Sequence, residues 1–120
     1  MTTDPKEHVL TCLKLYGAGD FEALAPLVRD DYRDHGLPFQ TATRGDWIEV
    51  SRKLPFADLR IDIRRVVAEG DYVTLFSRRT RPGLDIAVTD LFRLQDGLIA
   101  ERWEVVQHLP ADSPDPLATL

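Results

Sequence analysis

From Leu59 onward the apolar residues of this 120-residue chain recur at every second position, whereas in the first half they recur at helical spacing. That change of period constrains the fold more than any other feature. A period of two belongs to strands and one near 3.6 to helices. Leu59, Ile61 and Ile63 alternate with Arg60, Asp62 and Arg64. Glu69-Gly70-Asp71 reads as a turn, Tyr72 to Arg81 as the returning strand, and Pro82-Gly83 as a second turn. Asp85 to Leu94 and Leu98 to His108 read as the last two strands, joined at Asp96-Gly97.

Ahead of the strands, Asp4-Pro5 reads as a helix start, with Asp4 as N-cap and Pro5 in the first turn. Val9, Leu10, Cys12, Leu13 and Tyr16 follow helical spacing, and Gly17 or Gly19 can end the helix. Asp20 caps a second, shorter helix with Leu24, Leu27 and Val28 facing inward, which Pro26 kinks or shortens. Tyr32 to Gly36 reads as a short strand or extended turn and Leu37 to Thr43 as a loop. A third helix is expected over Asp46 to Leu54, ended by Pro55. Residues 109–120 form a proline-containing tail, expected as coil across the surface. Helices followed by antiparallel strands predict an α+β fold, and the length predicts a single domain over residues 1–120. A curved sheet wrapped around helices leaves a concave, mostly apolar pocket, the usual home of a small ligand.

A net charge of −5 argues against nucleic acid as partner. Arg64-Arg65 and Arg78, Arg79 and Arg81 are read as solvated faces, since neighbours in a strand point to opposite sides. Cys12 is the single cysteine, and no Cys/His spacing suggests a metal site. The opening MTTDPKEHVL has no apolar segment of signal length, and no run is long enough to span a membrane. A soluble cytoplasmic protein is the resulting expectation.

One residue breaks the strand pattern. Counting by twos, Asp90 shares a face with Ile86, Val88, Phe92 and Leu94. A two-residue turn at Asp96-Gly97 pairs Gln95 with Leu98 and sets Asp90 opposite Trp103. The shared face then holds Val88, Asp90, Phe92, Ile99, Glu101, Trp103, Val105 and Gln107; a slip of one residue brings Glu104 there instead of Trp103. Two readings of Asp90 stay open. Desolvation can raise its pKa and keep it protonated as a hydrogen-bond donor. Alternatively it pairs with an arginine such as Arg78 or Arg93 and has only a packing role.

The segments YRDHG, EGDYV, DLFRLQDGLIAERWEVVQ and PADSPDP resemble the SnoaL-like branch of the NTF2-like superfamily, in particular the predicted aldol-condensation-catalysing SnoaL-like proteins. The resemblance covers nearly the whole chain and is most specific in the last hairpin. It implies an α+β cone, with a curved antiparallel sheet and N-terminal helices enclosing a pocket. It also implies a homodimer through the outer sheet face and chemistry that needs neither metal nor organic cofactor. Ketosteroid isomerases of the superfamily hold an aspartate protonated in a similar Asp-x-Phe-Arg strand, and Asp90 is the matching position. Their base lies near the position of His35. The chain departs from its relatives where Gly36-Leu37 replaces Asn-Pro after His35, and where Cys12, Phe76 and Trp103-Glu104 stand at other motif positions.

The resulting expectation is acid–base chemistry on a small hydrophobic carbonyl compound. His35 would move an acidic proton and a neutral Asp90 would stabilise the enolate oxygen. Tyr16, Tyr32, Phe76, Trp103 and Gln107 are the expected substrate-binding residues. Two alternatives remain at this point. A non-catalytic small-molecule-binding or interaction module uses the same cone without turnover. Hydrolysis, as in epoxide hydrolases of the superfamily, needs an Asp-Arg-Asp relay, and no second aspartate is evident in the sequence.

Overall fold

The computed structural model describes residues 4–36, 40–54, 58–112 and 114–120. Helix α1 spans Pro5–Gly17; the Asp4 carboxylate accepts from the Lys6 N–H and Pro5 occupies the first turn. Helix α2 is a single turn, Phe21–Leu24, capped by Asp20. It tightens into a 3-10 turn over Ala25–Leu27, where Pro26 sits. Val28 is therefore not helical: it opens strand β1, Val28–Asp34. Helix α3, Arg44–Ser51, begins at a Thr43 cap. Pro55, expected to end it, and the start of the Leu37 to Thr43 loop lie outside the described residues.

Strands β2 (Arg60–Glu69), β3 (Tyr72–Arg81), β4 (Leu84–Gln95) and β5 (Leu98–His108) form the antiparallel meander that the change of period predicts. The sheet is mixed, because β1 lies parallel on β5 and gives the order β1-β5-β4-β3-β2. Its inner face packs on the helices through Val9, Leu24, Val28, Tyr32, Val73 and Leu75, all at most 1% exposed. Among the described residues no helix is long and apolar enough to cross a membrane.

The turn between β4 and β5 is the two-residue hairpin expected from Asp96-Gly97, both with positive φ (55° and 77°). The register beyond it differs from the expected one. Leu94 pairs with Ile99 but Arg93 pairs with Glu101, so Ala100 is an extra residue on β5. That bulge shifts every later side chain by one. Asp90 faces Glu104, and Trp103 faces Leu91 on the other side of the sheet.

Candidate functional site

The bulge decides which charges enter the interior. Because β5 skips a position at Ala100, Arg102 and Glu104 turn inward, and Glu101 and Trp103 turn outward. On β3, Val73, Leu75, Ser77 and Arg79 share the inner face with Asp90. On β1, Tyr32 and Asp34 do the same, with Asp34 beside Arg102.

These residues form one hydrogen-bonded cluster. Arg79 donates from Nη2 to Asp90 Oδ2 at 2.6 Å, and Arg102 from Nη1 to Asp90 Oδ1 at 2.8 Å. Arg102 also reaches Asp34 Oδ2 through Nε at 3.0 Å and Glu104 Oε2 through Nη1 at 2.7 Å. The Tyr32 hydroxyl donates to Asp34 Oδ2, and the Gly36 N–H to Asp34 Oδ1 at 2.6 Å. Asp90 is thus held through both oxygens by guanidinium donors, the arginine pairing that the sequence left open as its second reading. The arginines are Arg79 and Arg102; Arg78 pairs with Asp85 and Arg93 with Glu101.

The charges do not cancel. Three carboxylates (Asp34, Asp90, Glu104) face two guanidiniums (Arg79, Arg102), which leaves one negative charge in excess. Burial opposes the charge on Arg102, but Asp90 and Asp34 outweigh it and hold its pKa above the usual arginine value. Glu104 is the least compensated member: burial pushes its pKa up, against the pull of Arg102. Burial, reinforced by Asp34, raises Tyr32 well above the ordinary tyrosine value, so its hydroxyl stays a donor.

Above the cluster lies a cavity of about 270 Å³. Its apolar wall includes Leu13, Trp47, Ile61 and Phe92, and its polar lining includes Asp90, Glu104, Arg79 and Arg102. Tyr16 and Tyr32 line it as expected, but their hydroxyls are already engaged, Tyr16 with Ser51 Oγ at 3.0 Å. The Cys12 thiol also lines it, its pKa pushed up to about 12 by burial, so it behaves as a small apolar group. Among the described residues no group of three His, Cys, Asp or Glu is arranged to hold a metal ion.

The other expected site residues lie elsewhere. Phe76 pairs with Thr89, Gln107 with Ala87 and Trp103 with Leu91, all on the outer face of the sheet. His35 stacks on Trp103, ring centroids 5.4 Å apart, and its Nε2 meets Glu101 Oε2 at 2.6 Å. His35 and Asp90 are therefore not brought together. Sequence reading missed Asp34, Arg79 and Arg102; Glu104 it placed beside Asp90 only for a register slipped by one residue, which is the register observed. Arg79 had a signal, since it falls in step with Val73, Leu75 and Ser77. Arg102 had none, because only the bulge turns it inward.

A SnoaL-like domain model matches residues 9–102. The chain belongs to the SnoaL-like family. No curated protein matches it. Solved structures similar to it share the fold at low identity. A candidate ketosteroid isomerase from Kribbella flavida DSM 17836 is 17% identical, with a TM-score of 0.80, over 95% of this chain and 85% of that one. IdmH, a candidate polyketide cyclase from Streptomyces antibioticus, is 18% identical, with a TM-score of 0.70, over 87% of this chain and 92% of its own. An LEH-like epoxide hydrolase of M. tuberculosis is 18% identical, with a TM-score of 0.71, over 88% of this chain and 84% of its own. The SnoaL-like family thus takes in this chain's α+β cone, and the likeness to these structures is one of fold.

Proposed function

We propose that this SnoaL-like protein carries out proton-transfer chemistry on a small hydrophobic carbonyl compound, with Glu104 as the group that takes up and returns the proton. The observation that carries this reading is the hydrogen bonding of the three carboxylates. Asp34 and Asp90 have both oxygens engaged, whereas Glu104 uses Oε2 alone and its Oε1 has no described partner. A carboxylate with one open oxygen on an apolar cavity, in a cluster short of one positive charge, is suited to gain a proton. In the forward step the α-proton of the ketone passes to Glu104 Oε1, and the electron pair moves onto the carbonyl oxygen. Arg79 Nη1, 3.8 Å from Glu104 Oε2, has donor hydrogens free to meet that oxyanion. Where the ketone carries a β,γ-double bond, return of the proton at the γ-carbon gives isomerisation; attack of the enolate on a second carbonyl, with the proton on Glu104 passing to the new alkoxide, gives aldol cyclisation.

Deuterium exchange into the methyl group of acetophenone, followed by NMR, tests the reading. The wild-type protein is expected to accelerate exchange above buffer. The rate should climb with pH as Glu104 loses its proton, along a limb above the ordinary glutamate value of about 4.3. Glu104→Gln should lose the limb and roughly 100-fold or more in rate. Equal exchange by the two proteins sinks the assignment.

A second reading has its own observation. Asp34, Arg102 and Asp90 form the Asp-Arg-Asp series that hydrolysis of an epoxide would use. The water-activating oxygen would again be that of Glu104, because the two aspartates have none open. Diol formation from styrene oxide without ketone exchange would favour this reading. As for assembly, Val67 and Val105, 55% and 69% exposed on the outer face with Phe76 and Trp103, support a homodimer through that face.

A further inference from the structure

The cavity has two chemically different ends. Along the inner face of β3, Leu75 and Ser77 are fully buried, the Arg79 side chain is 15% exposed, and Arg81 is open to solvent. Strand β4 runs back beside it, with Arg81 paired to Leu84 and Leu75 paired to Asp90. The strand pair therefore climbs from the charged floor to the mouth. At about 3.3 Å per residue, Leu75 to Arg81 spans about 20 Å. Between the ends, Leu59, Ile61, Leu84 and Ile86 make an apolar wall.

Arg81 lines this cavity together with Arg79 and Arg102. Those two are held by carboxylates; Arg81 has no ion pair or hydrogen bond with any described residue. Asp85, near it in sequence, is taken by Arg78 at 2.7 and 2.9 Å. With Arg81 counted, three guanidiniums meet the three carboxylates of the cluster, but Arg81 touches none of them, so the floor keeps its negative excess and an unpaired positive charge stands at the mouth. A planar guanidinium at the rim of an apolar slot matches a carboxylate in bidentate geometry.

We propose that the ligand is an apolar oxo acid, bound with its carboxylate on Arg81 and its carbonyl at the Arg79–Glu104 floor. The carbonyl end rests on the proton-transfer reading above; the carboxylate anchor stands on Arg81 alone. The span calls for a chain or fused ring system of about ten carbons between the two groups, given the reach of the side chains into a 20 Å interval.

Calorimetric binding of a tridecanoate that ends in a methyl ketone, which puts about ten carbons between the two groups, compared with its methyl ester, tests the anchor. The wild-type protein is expected to bind the acid about 10-fold more tightly than the ester. Arg81→Gln should bring the acid down to the ester's affinity and leave the ester unchanged. Equal affinities in the wild type, an acid unaffected by Arg81→Gln, or binding of neither compound overturns the proposal. Glu104→Gln separates the two readings. If it binds the acid as the wild type does but exchanges no deuterium, both hold. If it exchanges like the wild type while Arg81→Gln still loses the acid, the anchor stands and the proton carrier does not.

Discussion

Strand β5 carries two glutamates three residues apart, and the two faces of the sheet treat them in opposite ways. Glu101 points outward, 20% exposed at its side chain, and shares His35 and Arg93. The hydrogen bond from His35, aided by Arg93, lowers its pKa. Glu104 points inward, 9% exposed, and shares its two arginines with two aspartates. Burial raises its pKa. Residue type and partner type are nearly the same; dielectric and the count of neighbouring charges differ. An ion pair near water is screened and worth little, while the same groups indoors interact strongly and cost much to leave unpaired. The inner cluster is thus the one proposed to act on the ligand, although the outer one contains the histidine.

The comparison breaks most sharply at Arg102. It bridges Asp34, Asp90 and Glu104, and no other described cation reaches all three. Arg102→Met keeps the apolar stem and removes the charge, which leaves the cluster with three carboxylates and one guanidinium. A loss of about 3–5 kcal/mol in stability is expected from stranding buried charges. Urea denaturation measures it, and a loss below about 1 kcal/mol would mean that water reaches the cluster freely.

A smaller effect should come from Gly36. A Cβ there would stand 2.4 Å from Arg102 Nη2 and 2.8 Å from Asp34 Oδ1, so the guanidinium lies directly against the glycine backbone. This accounts physically for glycine at the position after His35: a side chain there would push the Arg102 guanidinium and the Asp34 carboxylate aside. Gly36→Ala should cost about 1–3 kcal/mol by overpacking. It should reduce acetophenone exchange by a larger factor than folding loss explains, because the shift falls on the cluster itself. A variant that stays stable and fully active in exchange would show that Arg102 can move without consequence.

The fold was legible in the sequence because its signals are local. The period switch at Leu59, the caps at Asp4 and Asp20, and the Asp96-Gly97 turn each depend on a few neighbouring residues. Asp90 was recognisable as a charge on an apolar face, which is again a local pattern. Its partners were not, since Arg79 and Arg102 are 11 and 12 positions away and are gathered only by sheet pairing. The bulge at Ala100 has no glycine or turn residue to announce it, yet it exchanges Trp103 for Arg102 and Glu104 inside. Parity counting fails at a single inserted residue, and here that residue separates the two faces of the site.

The outer face supplies the smallest expected effect and the sharpest control. His35 donates to Glu101 and stacks on Trp103, with the His35 and Glu101 side chains 29% and 20% exposed. Screening at that exposure limits the pair to about 0.5 kcal/mol, and loss of the ring stack adds a similar amount. His35→Ala should therefore lower stability by about 1 kcal/mol. Exchange into acetophenone should stay within about 2-fold of wild type, because no described contact joins the His35 ring to the cavity. A 100-fold loss on His35→Ala would reverse the assignment: the ring would then have to reach the substrate from the rim of β1, and the outer group, not Glu104, would be moving the proton.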